Sequence, residues 1–160
     1  MEVIMPIGIP GSGKTRLYKM KYSHLTLLSK DLINKEMTGS INDWSRLDDL
    51  RNEINKRVDE LIERHESFFY DATNLNAKYR KLFADKFKGT DIKVTYVVLP
   101  ADVIVSMKRI EADLKNNVER STTNYLTLFA YFSIYKQTLE SKFEGENVQE
   151  IIYLKPEDLN

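Results

Sequence analysis

The sequence predicts an α/β fold in which a five-stranded parallel sheet carries helices on both faces. Short apolar runs alternate along the chain with longer segments of helical periodicity, and a glycine-rich loop directly follows the first apolar run. Strands that alternate with helices form parallel sheets, because each helix returns the chain along one face of the sheet. The predicted strands are 3–7, 25–28, 67–70, 94–99 and 148–154.

Five further segments have patterns compatible with helices, namely 14–21, 43–65, 77–88, 101–117 and 123–143. For the third of these helices we expect Asn76 as the N-cap and Gly89 as the C-terminal stop. Trp44 belongs to the apolar stripe of the second helix, so packing in the core is favoured for it over stacking on a base. The segment 35–42 is the most loop-like part of the chain.

The composition is that of an ordinary globular protein. A chain of 160 residues with 42% hydrophobic and 30% charged residues is expected to form a single domain over its whole length. Cysteine is absent, which excludes disulfides, zinc–thiolate sites and thiol nucleophiles. The N-terminal residues lack the pattern of a signal peptide, and no apolar stretch approaches the roughly 20 residues that span a bilayer. We therefore expect a cytoplasmic protein with no membrane partner.

The net charge of zero argues against tight nonspecific binding to nucleic acid, since proteins with that property usually carry a positive excess. The charge is nevertheless unevenly distributed. The segment 76–89 holds five basic residues against one acidic residue. Both a surface that faces an anionic substrate and a simple solvated helix face fit this segment.

The strongest motif is the octapeptide Gly-Ile-Pro-Gly-Ser-Gly-Lys-Thr at residues 8–15, a complete GxxxxGK[ST] phosphate-binding loop. Glycines let the backbone N–H groups surround phosphate oxygens, and the following helix adds its positive end. The lysine reaches the β and γ phosphates, and the threonine hydroxyl ligates Mg²⁺. The sequence therefore predicts ATP or GTP with Mg²⁺ as the ligand, bound by Gly11, Ser12, Gly13, Lys14 and the metal ligand Thr15.

Two carboxylates occupy positions where chemistry is expected. Asp31 follows the second predicted strand and Asp71 ends the third, and ligands of such sheets bind at the carboxyl ends of the strands. Asp31 suits a base or an orienting group for an attacking hydroxyl, although a helix N-cap is an alternative role. Asp71 fits either a magnesium ligand or a substrate contact.

Arginines between 109 and 123 are the expected cations for a transferring phosphoryl group. Arg109 lies in a predicted helix and Arg120 in the polar stretch that follows. The planar guanidinium suits phosphoryl oxygens, whereas an exposed connection between two helices is the alternative interpretation. We expect this segment, approximately 109–123, to form a lid, and we assign Arg109 and Arg120 to ATP binding.

These motifs together resemble the phage-type 5′-polynucleotide kinases, within the adenylate-kinase-like P-loop kinases. The loop at 8–15 is similar to the family's Gly-x-Pro-Gly-Ser-Gly-Lys-Ser/Thr loop, including its proline. Ser-Lys-Asp at 29–31 resembles the family's Arg-Asp element. Asp-Ala-Thr-Asn-Leu-Asn at 71–76 resembles its Asp-Thr-Asn-Leu-Asn signature, which is followed by an arginine that Arg80 represents.

The resemblance implies a P-loop kinase fold with a small helical lid, and transfer of the γ-phosphate of ATP to 5′-hydroxyl ends of DNA or RNA. It implies that Asp31 is the general base, with Lys14 and Arg120 as the other catalytic residues. The substrate contacts that follow from it are Lys30, Asp71, Asn74 and Arg80.

The chain also departs from the family pattern at positions that concern the substrate. Lys30 stands where the family has arginine, Asn34 replaces a second arginine, and Arg120 is followed by Ser-Thr-Thr instead of Arg-x-x-x-Val-Pro. A kinase of a small hydroxylated metabolite, nucleoside or nucleotide is therefore an alternative. A nucleotide-binding regulatory or toxin-like protein is a further one. Phosphatase and ligase modules are absent from this sequence, so a repair ligase would be a separate protein.

Overall fold

A parallel sheet forms the centre of the protein, as the sequence predicts. The structure is a computed structural model that describes residues 1–121 and 123–160. In these residues the sheet has five strands in the order β2-β3-β1-β4-β5, and every neighbouring pair is parallel. The strands are β1 (Glu2–Ile7), β2 (Thr26–Ser29), β3 (Phe68–Asp71), β4 (Lys93–Val98) and β5 (Glu150–Tyr153).

Helices connect and cover the strands. They are α1 (Lys14–Leu17), which continues as a π-helical turn over Tyr18–Tyr22, α2 (Lys30–Thr38), α3 (Leu47–Glu63), α4 (Ala77–Asp85), α5 (Val103–Lys115), α6 (Tyr125–Ser141) and a 3₁₀ helix (Pro156–Leu159). None of the helices in the described part of the chain has both the length and the apolar character needed to cross a bilayer.

The central strand β1 separates two apolar cores, because successive side chains of a strand point to opposite faces. Val3 and Met5 are fully buried in the larger core, which also receives apolar side chains from α2 to α6. Ile4 points into the smaller core, where Leu17 of α1 and Leu159 of the 3₁₀ helix pack. Helices therefore cover both faces of the sheet, as predicted.

The prediction that 35–42 is loop-like is wrong for its first half, because α2 occupies Lys30–Thr38. The Ser29 Oγ caps this helix by accepting a hydrogen bond from the Leu32 N–H at 3.3 Å. Gly39 ends it in the left-handed conformation, with φ +87° and its N–H bonded to the Lys35 carbonyl. A serine and a glycine ten residues apart were the available signals for this helix.

Trp44 lies outside the helix to which the sequence assigned it. α3 begins at Leu47, three residues later, and the Trp44 side chain is 43% exposed. The prediction of core packing for Trp44 is therefore wrong. The turn that carries it is held by the buried Asn34, whose Nδ2 donates to the carbonyls of Ser40 and Asp43 at 3.4 and 2.9 Å.

The other helix boundaries agree with the sequence more closely. The Asn76 Oδ1 accepts a hydrogen bond from the Tyr79 N–H at 3.2 Å, which confirms the predicted N-cap of α4. That helix ends at Asp85, before Gly89. The expected lid is helical only up to Lys115, and its remaining described residues, 116–121 and 123, are irregular.

A buried ion pair links α4 to the sheet. The Arg80 Nε and Nη2 donate to the two carboxylate oxygens of Glu146, each at 2.8 Å, and both side chains are 1% exposed. The Tyr96 hydroxyl donates to the same carboxylate at 2.9 Å. The Arg80 Nη1 donates to the carbonyls of Asn74 and Leu75 at 3.0 and 3.2 Å. Although burial raises the pKa of Glu146, the hydrogen bonds from Arg80 and Tyr96 hold it below its ordinary value.

We predict that Glu146→Ala lowers the free energy of unfolding by about 3–5 kcal/mol, because it leaves the Arg80 charge unpaired in the core. Urea unfolding measures this loss. Glu150→Ala is the matched control, since it removes an exposed partner of Lys93 and should cost less than about 1 kcal/mol. Equal losses in the two variants would contradict a structural role for the buried pair.

Candidate functional site

The glycine-rich loop between β1 and α1 packs tightly against neighbouring backbone. Gly11 and Gly13 have φ angles of +76° and +104°, which favour glycine. A Cβ on Gly11 would lie 2.8 Å from the Ser106 carbonyl oxygen, and a Cβ on Gly8 would lie 2.4 Å from the Ser12 Oγ. The loop conformation therefore depends on the absence of side chains at these positions, as a backbone cradle for phosphates requires.

Ser12 lies inside this loop. Its N–H donates to the Ile9 carbonyl at 3.1 Å, so this amide closes a turn of the loop. Its Oγ is buried and has no hydrogen-bond partner among the described residues. A buried hydroxyl without a partner is costly, and such groups concentrate at sites that bind ligands.

Lys14 begins α1 with its ammonium group folded over the loop. The Nζ donates to the carbonyls of Gly8 and Ile9 at 3.3 and 3.0 Å. Burial lowers the pKa of Lys14 to about 8, even though the negative charges of Asp71 and Asp31 favour its protonated form. The partly desolvated cation therefore lies beside two carboxylates.

Thr15, the predicted metal ligand, is exposed at the next position. No hydrogen bond of its hydroxyl occurs within residues 1–121 and 123–160, so the group is accessible from solvent.

The sheet brings Asp31 and Asp71 together. Asp71 ends β3 and pairs in register with Ser29 at the end of β2, and Asp31 lies in the first turn of α2. Burial raises the pKa of both carboxyls, and the positive charge of Lys14 opposes that shift in each. Because Ser29 is the N-cap of α2, Asp31 does not have the alternative capping role.

The segment 119–121 lies over the start of α2. The Ser121 Oγ donates to the Asp31 Oδ2 at 3.5 Å, and Glu119 forms an ion pair with Lys35. The Arg120 guanidinium binds the Asp113 carboxylate. Arg120 is close enough to lower the pKa of Lys14 and of Asp31. The segment thus lies against the Asp31 carboxylate, and residue 122 of the predicted lid lies outside the described residues.

Arg109 approaches the loop from α5. Its Nη1 donates to the Gly11 carbonyl at 3.2 Å. The structure therefore brings Lys14, Asp31, Asp71 and Arg120 to one edge of the sheet, with Arg109 beside the same loop.

A cavity of about 260 Å³ adjoins the loop and was missed by reasoning from the sequence. Residues that follow β4 and β5 and residues of α5 form its walls. They include Ser12, Pro100, Ala101, Arg109, Pro156 and Leu159. The position of Pro100 and Pro156 just after parallel strands was the signal that could have indicated them.

Two of the predicted substrate contacts are part of the scaffold instead. The Arg80 side chain is enclosed in the core with Glu146, so it does not reach an acceptor. Asn74 adopts φ +53°, and its Nδ2 donates to the Pro6 and Ala72 carbonyls at 2.8 and 3.2 Å. These bonds attach the loop after β3 to β1. Lys30 is half-buried next to Asp31, with its Nζ 5.3 Å from the centroid of the Trp44 ring.

The fold and the loop define a P-loop domain of kinase-like architecture. Residues 3–127 match the AAA domain family, and the chain belongs to this family. No curated protein sequence matches the chain.

Solved structures share the fold at low sequence identity. A chain of the Pnkp1/Rnl/Hen1 RNA repair complex matches with a TM-score of 0.74 and 16% identity, over 91% of this chain and 47% of that one. This protein therefore spans about half the length of that relative. A suspected kinase from Chloroflexus aurantiacus has a TM-score of 0.66 and 15% identity, over 96% and 86% of the two chains. A gluconokinase from Sinorhizobium meliloti has a TM-score of 0.51 and 15% identity, over 96% and 81%.

We predict that Gly11→Ala destabilises the protein more than Gly39→Ala. Both glycines have positive φ, but a Cβ on Gly39 meets nothing within 4 Å. The left-handed conformation costs about 1–2 kcal/mol in each variant. The contact with the Ser106 carbonyl should add about 1–3 kcal/mol at Gly11 only. Urea unfolding of the two variants measures the difference, and equal losses would contradict the tight packing of the loop.

Proposed function

We propose that this protein is an ATP- and Mg²⁺-dependent kinase that phosphorylates the 5′-hydroxyl ends of DNA or RNA. The observation that carries the proposal is the convergence of Lys14, Asp31 and Asp71 beside the glycine loop, under the segment 119–121. Phosphoryl transfer requires a cation at the phosphates, a group that accepts the hydroxyl proton, and exclusion of water.

The residues around the loop fit a nucleoside triphosphate. A side chain at Gly11 would collide with the backbone of Ser106. The loop can therefore adopt this phosphate-binding conformation only with glycine at that position. The adjoining cavity, with Arg109 on its wall, is the proposed site of the nucleobase of this nucleotide. ATP supplies the transferred phosphoryl group, and Mg²⁺ neutralises charge on it.

Thr15 is the proposed protein ligand of the metal. Among the described residues, no group of three or more His, Cys, Asp or Glu side chains is arranged to hold a metal ion. In sites of the proposed kind, phosphates and waters complete a small set of protein ligands of Mg²⁺. Asp71 is the second candidate ligand of the metal, and a contact with the acceptor is its alternative role.

Each catalytic side chain has a role that follows from its surroundings. Asp31 is partly desolvated, so its carboxylate is a better proton acceptor than an exposed one, and it takes the proton of the attacking hydroxyl. Lys14 holds negative charge at the loop. Arg120 is close to both groups, so its charge acts where negative charge builds up on the phosphoryl oxygens.

Different observations favour two classes of acceptor. The Asp71–Asn76 motif and the likeness to a chain of an RNA repair complex favour a polynucleotide end. The scaffold roles of Arg80 and Asn74 and the likeness to a gluconokinase favour the alternative, a small hydroxylated metabolite.

Transfer of label from γ-labelled ATP to 5′-hydroxyl DNA and RNA oligonucleotides, run beside nucleosides and sugar acids, tests the proposal. Lys14→Ala is the control, and its activity should fall by about 10²-fold or more because one charge is lost at the phosphates. Activity on a small metabolite and on no oligonucleotide would replace the polynucleotide by the alternative. No transfer to any acceptor would exclude a kinase.

We predict that Asp31→Asn lowers kcat by about 10²- to 10⁴-fold and leaves ATP affinity nearly unchanged, because the amide cannot accept the proton.

The base acts when deprotonated, so the rate of the wild type should decrease as the pH falls through the pKa of Asp31. Burial raises that pKa, so this limb should lie above the ordinary range of an aspartate, and it should vanish in the variant. Measurement of the rate between pH 4 and 8 tests this, and on the acid limb the rate should fall on the order of tenfold per pH unit. Loss of ATP affinity with unchanged kcat would instead make Asp31 a nucleotide or metal ligand.

We predict that Arg120→Ala lowers kcat and kcat/KM together, because its charge acts mainly in the transition state. Arg120→Lys should recover only part of the rate, since it loses the planar fork. Arg109→Ala is the comparison, and it should mainly raise the KM for ATP through the lost contact with the loop. A wild-type rate in Arg120→Ala would remove this residue from the mechanism.

A further inference from the structure

Two exposed aromatic rings of the protein carry cations on their faces. The Lys30 Nζ lies 5.3 Å from the centroid of the Trp44 ring, and the Arg51 guanidinium lies 4.4 Å from that of Tyr79. The neighbouring Lys78 Nζ also lies 5.8 Å from the centroid of the Tyr79 ring. Both rings are 43% exposed. Burying such a ring in a protein core would require desolvation of its cation, which is costly. On the surface, the ring and the cation together are well suited to bind flat, electron-rich ligands.

The two pairs belong to one surface. Lys30 begins α2, Trp44 precedes α3, Arg51 lies in α3, and Tyr79 lies in α4. Burial lowers the pKa of Lys30, and the charge of Arg51 adds to that effect, so the two cations lie near each other. We call these four residues the aromatic surface. Because Lys30 directly precedes Asp31 in the chain, the surface begins beside the proposed base.

The chemistry of this surface matches a short piece of single-stranded nucleic acid. Bases stack on aromatic rings with about 1–3 kcal/mol per base, and this stacking tolerates any base. Lysine and arginine side chains next to the rings contact the phosphates between the bases. Arg51 is bonded at 3.4 Å to Asp48, whose side chain is 94% exposed, and such an exposed pair is weak. Its charge is therefore available to a ligand.

The extent of the surface also explains how a protein without net charge could bind a polyanion. The aromatic surface contains two rings and two cations, enough for about two nucleotides, and its surroundings include the acidic side chains of Asp43, Asp48 and Asp49. A long electrostatic groove is incompatible with that charge, since affinity for the backbone depends on many neutralised phosphates.

We propose that the aromatic surface binds the first nucleotides of a single-stranded polynucleotide acceptor, with bases stacked on Trp44 and Tyr79 and phosphates beside Lys30 and Arg51. This inference rests on the proposed function, because it assigns the acceptor of the same site. Lys30 adjoins Asp31 and its Nζ lies against the Trp44 ring, so this pair serves the terminal nucleotide, and Arg51 and Tyr79 serve the next one.

Fluorescence tests the binding directly and without catalysis. Trp44 is the only tryptophan of the protein, so its emission reports on this surface alone. Titration with a 5′-hydroxyl hexanucleotide in the absence of ATP should quench it. Tyr79→Ala should weaken that titration by about 5- to 150-fold, the equivalent of one lost stacked base. Tyr153→Ala removes a tyrosine that is 55% exposed elsewhere and should leave the titration unchanged.

Steady-state kinetics supply a second readout. Trp44→Ala and Tyr79→Ala should raise the KM for the hexanucleotide and keep the kcat and the KM for ATP. With a nucleoside 3′-phosphate as acceptor, Tyr79→Ala should have no effect, because that substrate ends before the second ring. With two neutralised phosphates, log K should fall against log salt with a slope of about −1.4.

The outcomes separate the surface from the catalytic proposal. Phosphorylation of 5′ ends with no quenching and unchanged KM values in both variants would overturn the aromatic surface and leave the kinase intact. Quenching by the hexanucleotide without transfer of phosphate would support the surface and overturn the proposed reaction. Equal quenching by inorganic phosphate alone would reduce the surface to a simple anion site and overturn the inference.

Discussion

The parallel pairing of β1 with β3 and β4 is the constraint on which the rest of this structure depends. Parallel strands deliver their carboxyl ends to one edge, so the glycine loop after β1 and Asp71 at the end of β3 meet there. Two hydrogen bonds hold the loop segments together at that edge, from the Gly8 N–H to the Thr73 carbonyl and from the Asn74 side chain to the Pro6 carbonyl. A slip in this pairing would separate the loop from the carboxylates.

Two opposing effects act on the charged side chains at this edge, the cost of desolvation and the attraction between opposite charges. Burial disfavours the charged forms of Lys14, Asp31 and Asp71, and their opposite charges restore part of the loss. Such an arrangement does not stabilise a fold as efficiently as apolar packing would. Groups with such displaced pKa values concentrate at functional sites. The segment 119–121 adds to the effect at Asp31, because Ser121 contacts its carboxylate and the charge of Arg120 lies close to it.

The buried pair of Arg80 and Glu146 shows where a motif can mislead. An arginine shortly after the Asp71–Asn76 element fits the pattern of a substrate contact, yet here it donates to Glu146, 66 residues further along the chain. Its remaining donors bind the carbonyls of Asn74 and Leu75. Arg80 therefore supports the loop that presents Asp71 without reaching the site itself. Trp44 is the opposite case, an apolar residue that the helical pattern assigned to the core and that the turn before α3 leaves on the surface.

The sequence by itself determined the parallel α/β architecture, the position of all five strands, the phosphate loop and the two carboxylates at the strand ends. These features are local, because alternating periodicity and a glycine pattern depend only on residues that are close together in the chain. Only the tertiary structure decided what depends on partners distant in the chain: the core position of Arg80, the exposure of Trp44, the cavity beside the loop and the approach of Arg120 to Asp31. A side chain becomes scaffold or site according to what packs against it, and for these residues that partner comes from another part of the chain.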